Sequence, residues 1–236
     1  MAVRTRYQHD LRDLQQQVLF LAEAVDRALV DALWALSQRS VGTAQQIVRE
    51  DSQIDAQRVA IEEHALRLLA CQQPLLGEDL RLVSAAVAIA AELERMGDHA
   101  RGIATLVIRS ANLAGNAPLP RIEAMAYTVR SMLQQAVRAV LNRDTAVISQ
   151  LRQMDNTVDQ TYAQLFQEML AQMRIHPEAS EWSTYVLWIA HNLERIADRS
   201  IAIAGRAAFI ATGAMPWVLP EPGGLGRGLG PEQPAG

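Results

Sequence analysis

The sequence contains no lysine, a single cysteine and few aromatic residues. All 22 basic residues are arginine, and aromatic residues make up 5% of the 236 positions. Without lysine the chain cannot form a Schiff base or supply the lysine of a phosphate-binding loop. With Cys71 alone it cannot form an internal disulfide or a thiolate metal site, and we expect this side chain to be a small buried hydrophobe.

A strong charge of one sign and a long hydrophobic run are also absent. The formal net charge is −4, and the arginines are scattered, whereas nucleic-acid binding needs a concentrated basic face. The longest apolar stretch, at 82–91, is shorter than the ~18 residues of a membrane span, and the N-terminal segment lacks the apolar centre of a signal peptide. We therefore expect a soluble cytoplasmic protein that does not bind nucleic acid.

Apolar residues are abundant and follow a helical period. They make up 50% of the chain, and from Leu11 onwards they step by three and four, as in a helix with one buried face. Turn residues and prolines separate such stretches. The pattern predicts helices from about 11 to a turn at 40–42, over about 43–72 and from about 82 to 107, then, after a linker at 112–120, over about 121–142, 145–173 and 178–212.

The second half of the chain repeats the first. An offset of 104 residues relates the first two helices of each half, so that Asp51 corresponds to Asp155, and an offset of 100 aligns Glu94 with Glu194 in the third helices. This duplication predicts an all-α fold of two tandem, pseudo-symmetric three-helix bundles with six long helices. We assign 1–114 to the first bundle and 121–213 to the second.

Residues 214–236 are rich in glycine and proline and are expected to form a flexible tail. Trp217, Val218 and Leu219 offer a segment able to dock on the body or on a partner, although disorder is the simpler interpretation.

Acidic residues four positions apart recur in the two later helices of each half. Such residues project from one helix face, where like charges repel by about 0.2–0.5 kcal/mol, a cost that a bound cation would reverse. The residues are Asp51, Asp55, Glu94 and Asp98 in the first half and Asp155, Asp159, Glu194 and Asp198 in the second.

The position of these acids on the helices favours a shared site. On the second helix, Asp51 lies between Ile47 and Ile54 on the apolar stripe, so we expect this acid at the contact with a neighbouring helix. In the second half, Asp155 has the corresponding position. Antiparallel packing of the second and third helices would bring four carboxylates together in each half. The alternatives are a solvated acidic face, or neutralisation of the acids by Arg95 and Arg195.

An all-oxygen donor set favours hard cations such as Mg²⁺, Mn²⁺, Ca²⁺ or ferric iron. We therefore predict divalent or ferric ions as cofactors, with iron, manganese, magnesium and zinc all left open. No catalytic motif is present, and His99 lies off the carboxylate face. The remaining histidines, His9, His64, His176 and His191, are expected at the surface or at interfaces.

The runs LERMGDHARGIA at 93–104 and LERIADRSIAIA at 193–204 resemble the PhoU family of accessory regulators of phosphate-specific transport. The resemblance covers about 11–213, and it implies two three-helix bundles and, in some members, multinuclear metal clusters. The ligands would be the eight acids named above. Arg199 replaces a common histidine and Arg58 a common acid, so we expect weaker cation binding in the half that contains Arg199.

The same resemblance implies a function. Members link a phosphate ABC transporter, with its ATPase, to a membrane sensor histidine kinase, and they keep the phosphate-starvation response off when phosphate is plentiful. This role is binding and not catalysis, with membrane association only through partners; a homodimer is left open. The alternatives are a metal-free helical adaptor and a di-iron carboxylate enzyme, which needs a Glu-x-x-His motif that neither Glu94 nor Glu194 begins.

Overall fold

Six long α-helices make up the structure, a computed structural model that describes residues 2–71, 77–113 and 119–214. They are α1 (Ala2–Gln38), α2 (Val41–Cys71), α3 (Glu78–Ser110), α4 (Leu119–Asn142), α5 (Val147–Ile175) and α6 (Ser180–Thr212), with a 3₁₀ turn at Pro177–Ala179. These residues contain no strand, and none of their helices is long and apolar enough to cross a membrane. The predicted all-α fold is confirmed.

The helices form two bundles that share one long contact. α1, α2 and α3 pack together, as do α4, α5 and α6, while α3 also packs on α6 and α1 on α4. α3 is therefore covered on two sides, and small side chains such as Ala85, Ala90 and Ala100 are fully buried along it. Small residues let three neighbouring helices approach α3 at interior packing density.

Polar contacts between α3 and α6 show that the two halves face each other about a pseudo-twofold axis. His99 Nδ1 lies 2.9 Å from Asn192 Oδ1, and Arg199 Nη1 lies 3.2 Å from Glu92 Oε2. With the offset of 100, Glu92 corresponds to Asn192 and His99 to Arg199. The contact between His99 and Asn192 therefore corresponds to the contact between Arg199 and Glu92. Because residue 92 lies near 199 and residue 99 near 192, α3 and α6 run antiparallel.

The contact between α1 and α4 lies on the same axis. Arg130 Nε and Nη2 donate to the two carboxylate oxygens of Asp26, at 2.8 and 2.9 Å. These residues are 104 positions apart, so each is the counterpart of the other. A bidentate ion pair of this kind fixes the orientation of the two helices as well as their distance.

The turn predicted at 40–42 lies earlier in the chain than expected. Ser40 caps α2, since its Oγ accepts a hydrogen bond from the Thr43 N–H at 3.4 Å, and the helix begins at Val41. A serine side chain at this position satisfies an amide that the helix leaves unpaired. The prediction of a turn that included Val41 is therefore wrong.

The reversals after α1 and α4 are built alike. Arg39 and Arg143, which are counterparts, have φ values of 51° and 53°. In each turn the next amide donates to a carbonyl five residues earlier at 2.9 Å. In both turns an arginine in the left-handed conformation ends the helix, at a position where glycine is the usual residue.

Two further expectations differ from the structure or fall outside it. Cys71 is exposed, so the prediction of a buried side chain is wrong, because α2 and its apolar stripe end there. The expected linker lies partly outside the described residues, at 114–118, and the expected tail lies outside them from residue 215.

Candidate functional site

The four acids of the first half lie together where α2 meets α3, and we call them the first cluster. Burial raises the pKa of Asp51, and the charges of Asp98 and Asp55 raise it further. Burial likewise raises the pKa of Glu94, with Asp98 and Asp55 adding to the effect and Arg58 opposing it. Because charges influence one another in this way only at short range, the four carboxylates share one environment.

Arg101 neutralises part of the first cluster. Its Nη2 donates to Asp98 Oδ1 at 2.6 Å, and its Nε lies 3.0 Å from Asp51 Oδ2. The counterpart of Arg101 in the second half is Ile201. Arg101 was not among the predicted site residues, although its position three residues after Asp98 on a helix could have indicated a contact with that acid.

The second cluster consists of Asp155, Asp159, Glu194 and Asp198, where α5 meets α6. Burial raises the pKa of Asp155 to about 6, aided by the charges of the other three acids. Burial is also the main cause that raises the pKa of Asp159 and of Asp198. Asp155 Oδ1 is buried without a hydrogen-bond partner among the described residues. An orphaned, buried carboxylate oxygen is costly unless a donor or a cation compensates it.

Arg195 and His191 border the second cluster. Arg195 Nε and Nη2 each lie 2.8 Å from the Glu194 carboxylate, and Nη1 lies 3.1 Å from Asp198 Oδ2. His191 Nδ1 lies 3.4 Å from Glu194 Oε2. His191 is exposed at the surface, as expected, and its position three residues before Glu194 on α6 makes it a further ligand-type side chain at this cluster.

The structure gives a reason to reverse the expected order of the two sites. Arg199 was expected to weaken the second cluster, but its Nη1 lies 3.2 Å from Glu92, across the contact between the bundles. Arg101 contacts two acids of the first cluster, as Arg195 does in the second, but Arg58 also lies near the first cluster, where its charge lowers the pKa of Glu94. The counterparts of Arg101 and Arg58 in the second half are the uncharged Ile201 and Tyr162. We therefore expect the first cluster to bind a cation more weakly.

The chemistry of both clusters fits a hard cation, although two acids of each cluster are held in ion pairs with arginine: Asp51 and Asp98 in the first, and Glu194 and Asp198 in the second. Every donor in the two sets of four acids is a carboxylate oxygen, the donor type that Mg²⁺, Mn²⁺ and Ca²⁺ favour. Within the described part of the chain, only His9, Asp10 and Asp13 of α1 bring three ligating atoms within 4.8 Å of one another. Cation binding at the clusters would therefore replace contacts that Arg101 and Arg195 now make.

Comparison with known families decides what this arrangement belongs to. A family profile described as "PhoU domain" matches residues 18–107 and 122–207, which are the helical cores of the two halves. The chain belongs to the PhoU family. The PhoU resemblance found in the sequence is thereby confirmed, and each PhoU match contains one complete carboxylate cluster.

Curated relatives of this PhoU chain share a name and align with it over most of their length. It is 30% identical over 210 residues to the "Phosphate-specific transport system accessory protein PhoU homolog" of Clostridium acetobutylicum, covering 89% of this chain and 96% of that protein. It is 33% identical over 207 residues to the protein of that name from Zymomonas mobilis, covering 88% and 87% respectively.

Solved PhoU structures share the fold. The crystal structure of PhoU from Pseudomonas aeruginosa matches with a TM-score of 0.82 and 28% identity, over 88% of this chain and 100% of that one. The phosphate transport system regulatory protein PhoU from Streptococcus pneumoniae matches with a TM-score of 0.80 and 31% identity, over 89% and 98%. The names of these PhoU proteins describe accessory and regulatory proteins of phosphate transport.

Proposed function

We propose that this protein is a negative regulator of phosphate uptake and of phosphate-starvation signalling. It acts in the cytoplasm as an adaptor, not an enzyme, between the ATPase of a phosphate ABC transporter and a sensor histidine kinase. The observation that carries the proposal is the match of both halves to the PhoU domain, each half with its own carboxylate cluster.

Metal binding is part of the proposal. Divalent or ferric ions are held by the first cluster and the second cluster, and their charge offsets the repulsion between acids on neighbouring helices. The unpartnered Oδ1 of Asp155 and the raised pKa of this residue support the assignment. A bound cation would keep α2 on α3, and α5 on α6, without acting on a substrate.

The di-iron enzyme has less support than the adaptor. Di-iron bundles use histidine together with carboxylates on facing helices. Among the described residues, the histidine in contact with a cluster acid is His191 of the second cluster, and its counterpart in the first half is Ala91. A metal-free adaptor differs from our proposal in one measurable property, the metal content of the native protein.

Deletion of the gene tests the regulatory role. We expect phosphate-responsive genes to be expressed in high phosphate in the deletion strain, because the negative signal is lost. The wild-type gene should restore repression, and so should a Glu123→Gln variant, which changes an exposed acid of α4 outside both clusters. Unchanged expression in the deletion strain would contradict the proposed regulation.

Affinity capture tests the adaptor role. The full chain, isolated from phosphate-replete cells, should carry the transporter ATPase and the sensor kinase with it. Recovery of neither protein, from cells in which the tagged chain restores repression, would contradict the proposed partners while leaving the regulatory role in place.

A further inference from the structure

A shallow apolar cleft lies at one end of the contact between the two bundles. Its walls come from α1, α3, α4 and α6, and we call it the end cleft. The lining residues that matter here are Leu82, Val140, Leu141, Arg143 and Ile210. Because the pseudo-twofold axis relates the two ends of this contact, the opposite end shows how such a space can be filled.

At the opposite end a tryptophan closes the contact. Trp182 is 6% exposed, and the guanidinium of Arg39 lies over its ring, 5.3 Å from the centroid. Arg39 Nη1 also donates to the Leu113 carbonyl at 3.5 Å, and the Leu113 side chain packs against the core. An indole, a leucine and a cation together seal this end.

Smaller residues stand at the corresponding positions of the end cleft. The counterparts are Leu82 for Trp182, Gly213 for Leu113 and Arg143 for Arg39. Both ends therefore have an arginine at this position. Arg143 lines the end cleft and forms an ion pair with Glu78. The end cleft is therefore the space that an indole and a leucine side chain occupy at the other end.

The rim of the end cleft is apolar where the opposite rim is polar. Leu141, which lines the cleft, is 38% exposed. Its counterpart at the opposite end is Ser37. Exposed apolar residues around an apolar cleft indicate a surface that is covered by another group.

The last described helix delivers the chain to this rim. α6 ends at Thr212, and Gly213, with a φ of 81°, turns the chain. Arg81 Nε donates to the Ile210 carbonyl at 2.9 Å, and a Cβ on Gly213 would lie 3.7 Å from Arg81 Nη1. The chain therefore leaves α6 beside the first turns of α3, next to Leu82.

We propose that the segment 215–220, Met-Pro-Trp-Val-Leu-Pro, docks on the end cleft, with the Trp217 indole in the space beside Leu82 and against the Arg143 guanidinium. Trp217 lies three positions after Ala214, a reach of up to about 10 Å, which suits a cleft whose rim lies beside the chain exit. Two prolines in the segment restrict its free conformations and so reduce the entropic cost of docking. The docked segment seals this end as Trp182 and Arg39 seal the other.

Fluorine NMR of the full chain labelled with 5-fluorotryptophan tests this docking. The chain has four tryptophans, and the Trp217→Phe variant identifies the resonance in question. Trp182 at 6% exposure and Trp34 and Trp188 at 51% and 53% serve as internal standards for a soluble paramagnetic probe. We expect Trp217 to be protected like Trp182. Broadening of Trp217 equal to that of Trp34 would overturn the proposal.

Filling the cleft provides the matched comparison. Leu82→Trp, or Ala86→Leu as a smaller change, should expel Trp217 and make its resonance accessible. Leu66→Trp, an added indole at an exposed site of α2, should leave it protected. Protection that survives both cleft-filling variants, or that is lost on dilution, would place Trp217 elsewhere or against a second copy, and either result would overturn the proposal.

Hydrogen exchange gives a second readout that does not depend on the tryptophan label. Removal of residues 215–236 should speed amide exchange in 203–212 and 78–89, which border the cleft, and leave the opposite end of the contact unchanged. Equal exchange in the full and the shortened chain would contradict docking.

Discussion

Asp155 is the cluster residue whose raised pKa can be tested most directly. Its folded pKa of about 6 exceeds the ordinary value of 3.8, so the folded protein binds this proton more tightly than the unfolded chain does. The resulting stabilisation is complete below about pH 4 and is lost as the pH rises through about 6. In metal-free protein at neutral pH, ionised Asp155 is therefore a net cost.

Asp155→Asn should stabilise the metal-free protein by about 1–3 kcal/mol at about pH 7 and much less at about pH 4. The free energy of unfolding, measured with urea in the presence of a chelator at both pH values, checks this. Glu123→Gln, an exposed acid outside the clusters, is the control and should show no such pH dependence. An equal effect of Asp155→Asn at both pH values would contradict the raised pKa.

Arg101 is one of the residues that make the two clusters unequal, because its counterpart is the uncharged Ile201. Replacing it by the residue found in the other half, Arg101→Ile, should raise the cation affinity of the first cluster by about tenfold, because a fixed positive charge leaves the site. The reverse change, Ile201→Arg, should lower the affinity of the second cluster by a similar factor. Calorimetric titration of the metal-free variants measures both, and unchanged affinities would show that Arg101 does not compete with the cation.

The pair of helices α2 and α3 shows how the two halves solve one packing problem with different residues. A Cβ on Gly97 would lie 3.0 and 3.1 Å from two carbons of Ile54. The counterparts of these residues are Ala197 and Val158. The first half therefore pairs glycine with isoleucine. The second half pairs alanine with valine, so that one methyl group is gained on one helix and lost from the other.

A double-mutant cycle tests this exchange. Gly97→Ala alone should suffer overpacking of about 1–3 kcal/mol, partly offset by about 1 kcal/mol of helix propensity. Ile54→Val alone should cost about 0.5–1.5 kcal/mol. The double variant should recover about 1 kcal/mol relative to the sum of the singles, measured by urea unfolding. Strictly additive changes would show that the two positions do not share the space.

The six helices could be predicted from the sequence because each carries an apolar stripe at helical spacing, which a neighbouring helix covers. Helix ends were less accessible, since Val41 belongs to α2 only because the Ser40 side chain caps it. Cys71 was misjudged for a related reason: it continues the stripe of α2 but lies at its last residue. Periodicity indicates which face is apolar and not where the neighbouring helix stops.

The clustering of acids could be predicted because the duplication repeats their spacing, but their cationic neighbours could not. Arg101 of α3 contacts Asp51 of α2, and Arg199 of α6 contacts Glu92 in the other half. Both contacts depend on how α2, α3 and α6 pack against one another, and the spacing of residues along the sequence does not determine this packing.

At the scale of the whole molecule, the pseudo-twofold contact predicts a specific charge exchange. Arg130→Asp should weaken the packing of α1 on α4 by about 1 kcal/mol, since it leaves two acids opposed. Combining it with Asp26→Arg should restore the stability, because the bidentate pair reforms with its members exchanged across the axis. Thermal unfolding of the three variants measures this, and a double variant less stable than Arg130→Asp would contradict the symmetric placement.

The most direct test of the account is a Mn²⁺ titration of the metal-free full chain, followed by calorimetry. Wild-type protein should show two unequal classes of site. The variant with Glu194→Gln and Asp198→Asn should lose the tighter class, and the variant with Glu94→Gln and Asp98→Asn should lose the weaker one, with the helices intact in both. If the wild type does not bind Mn²⁺, or if all three proteins bind it equally, the carboxylate clusters are not cation sites.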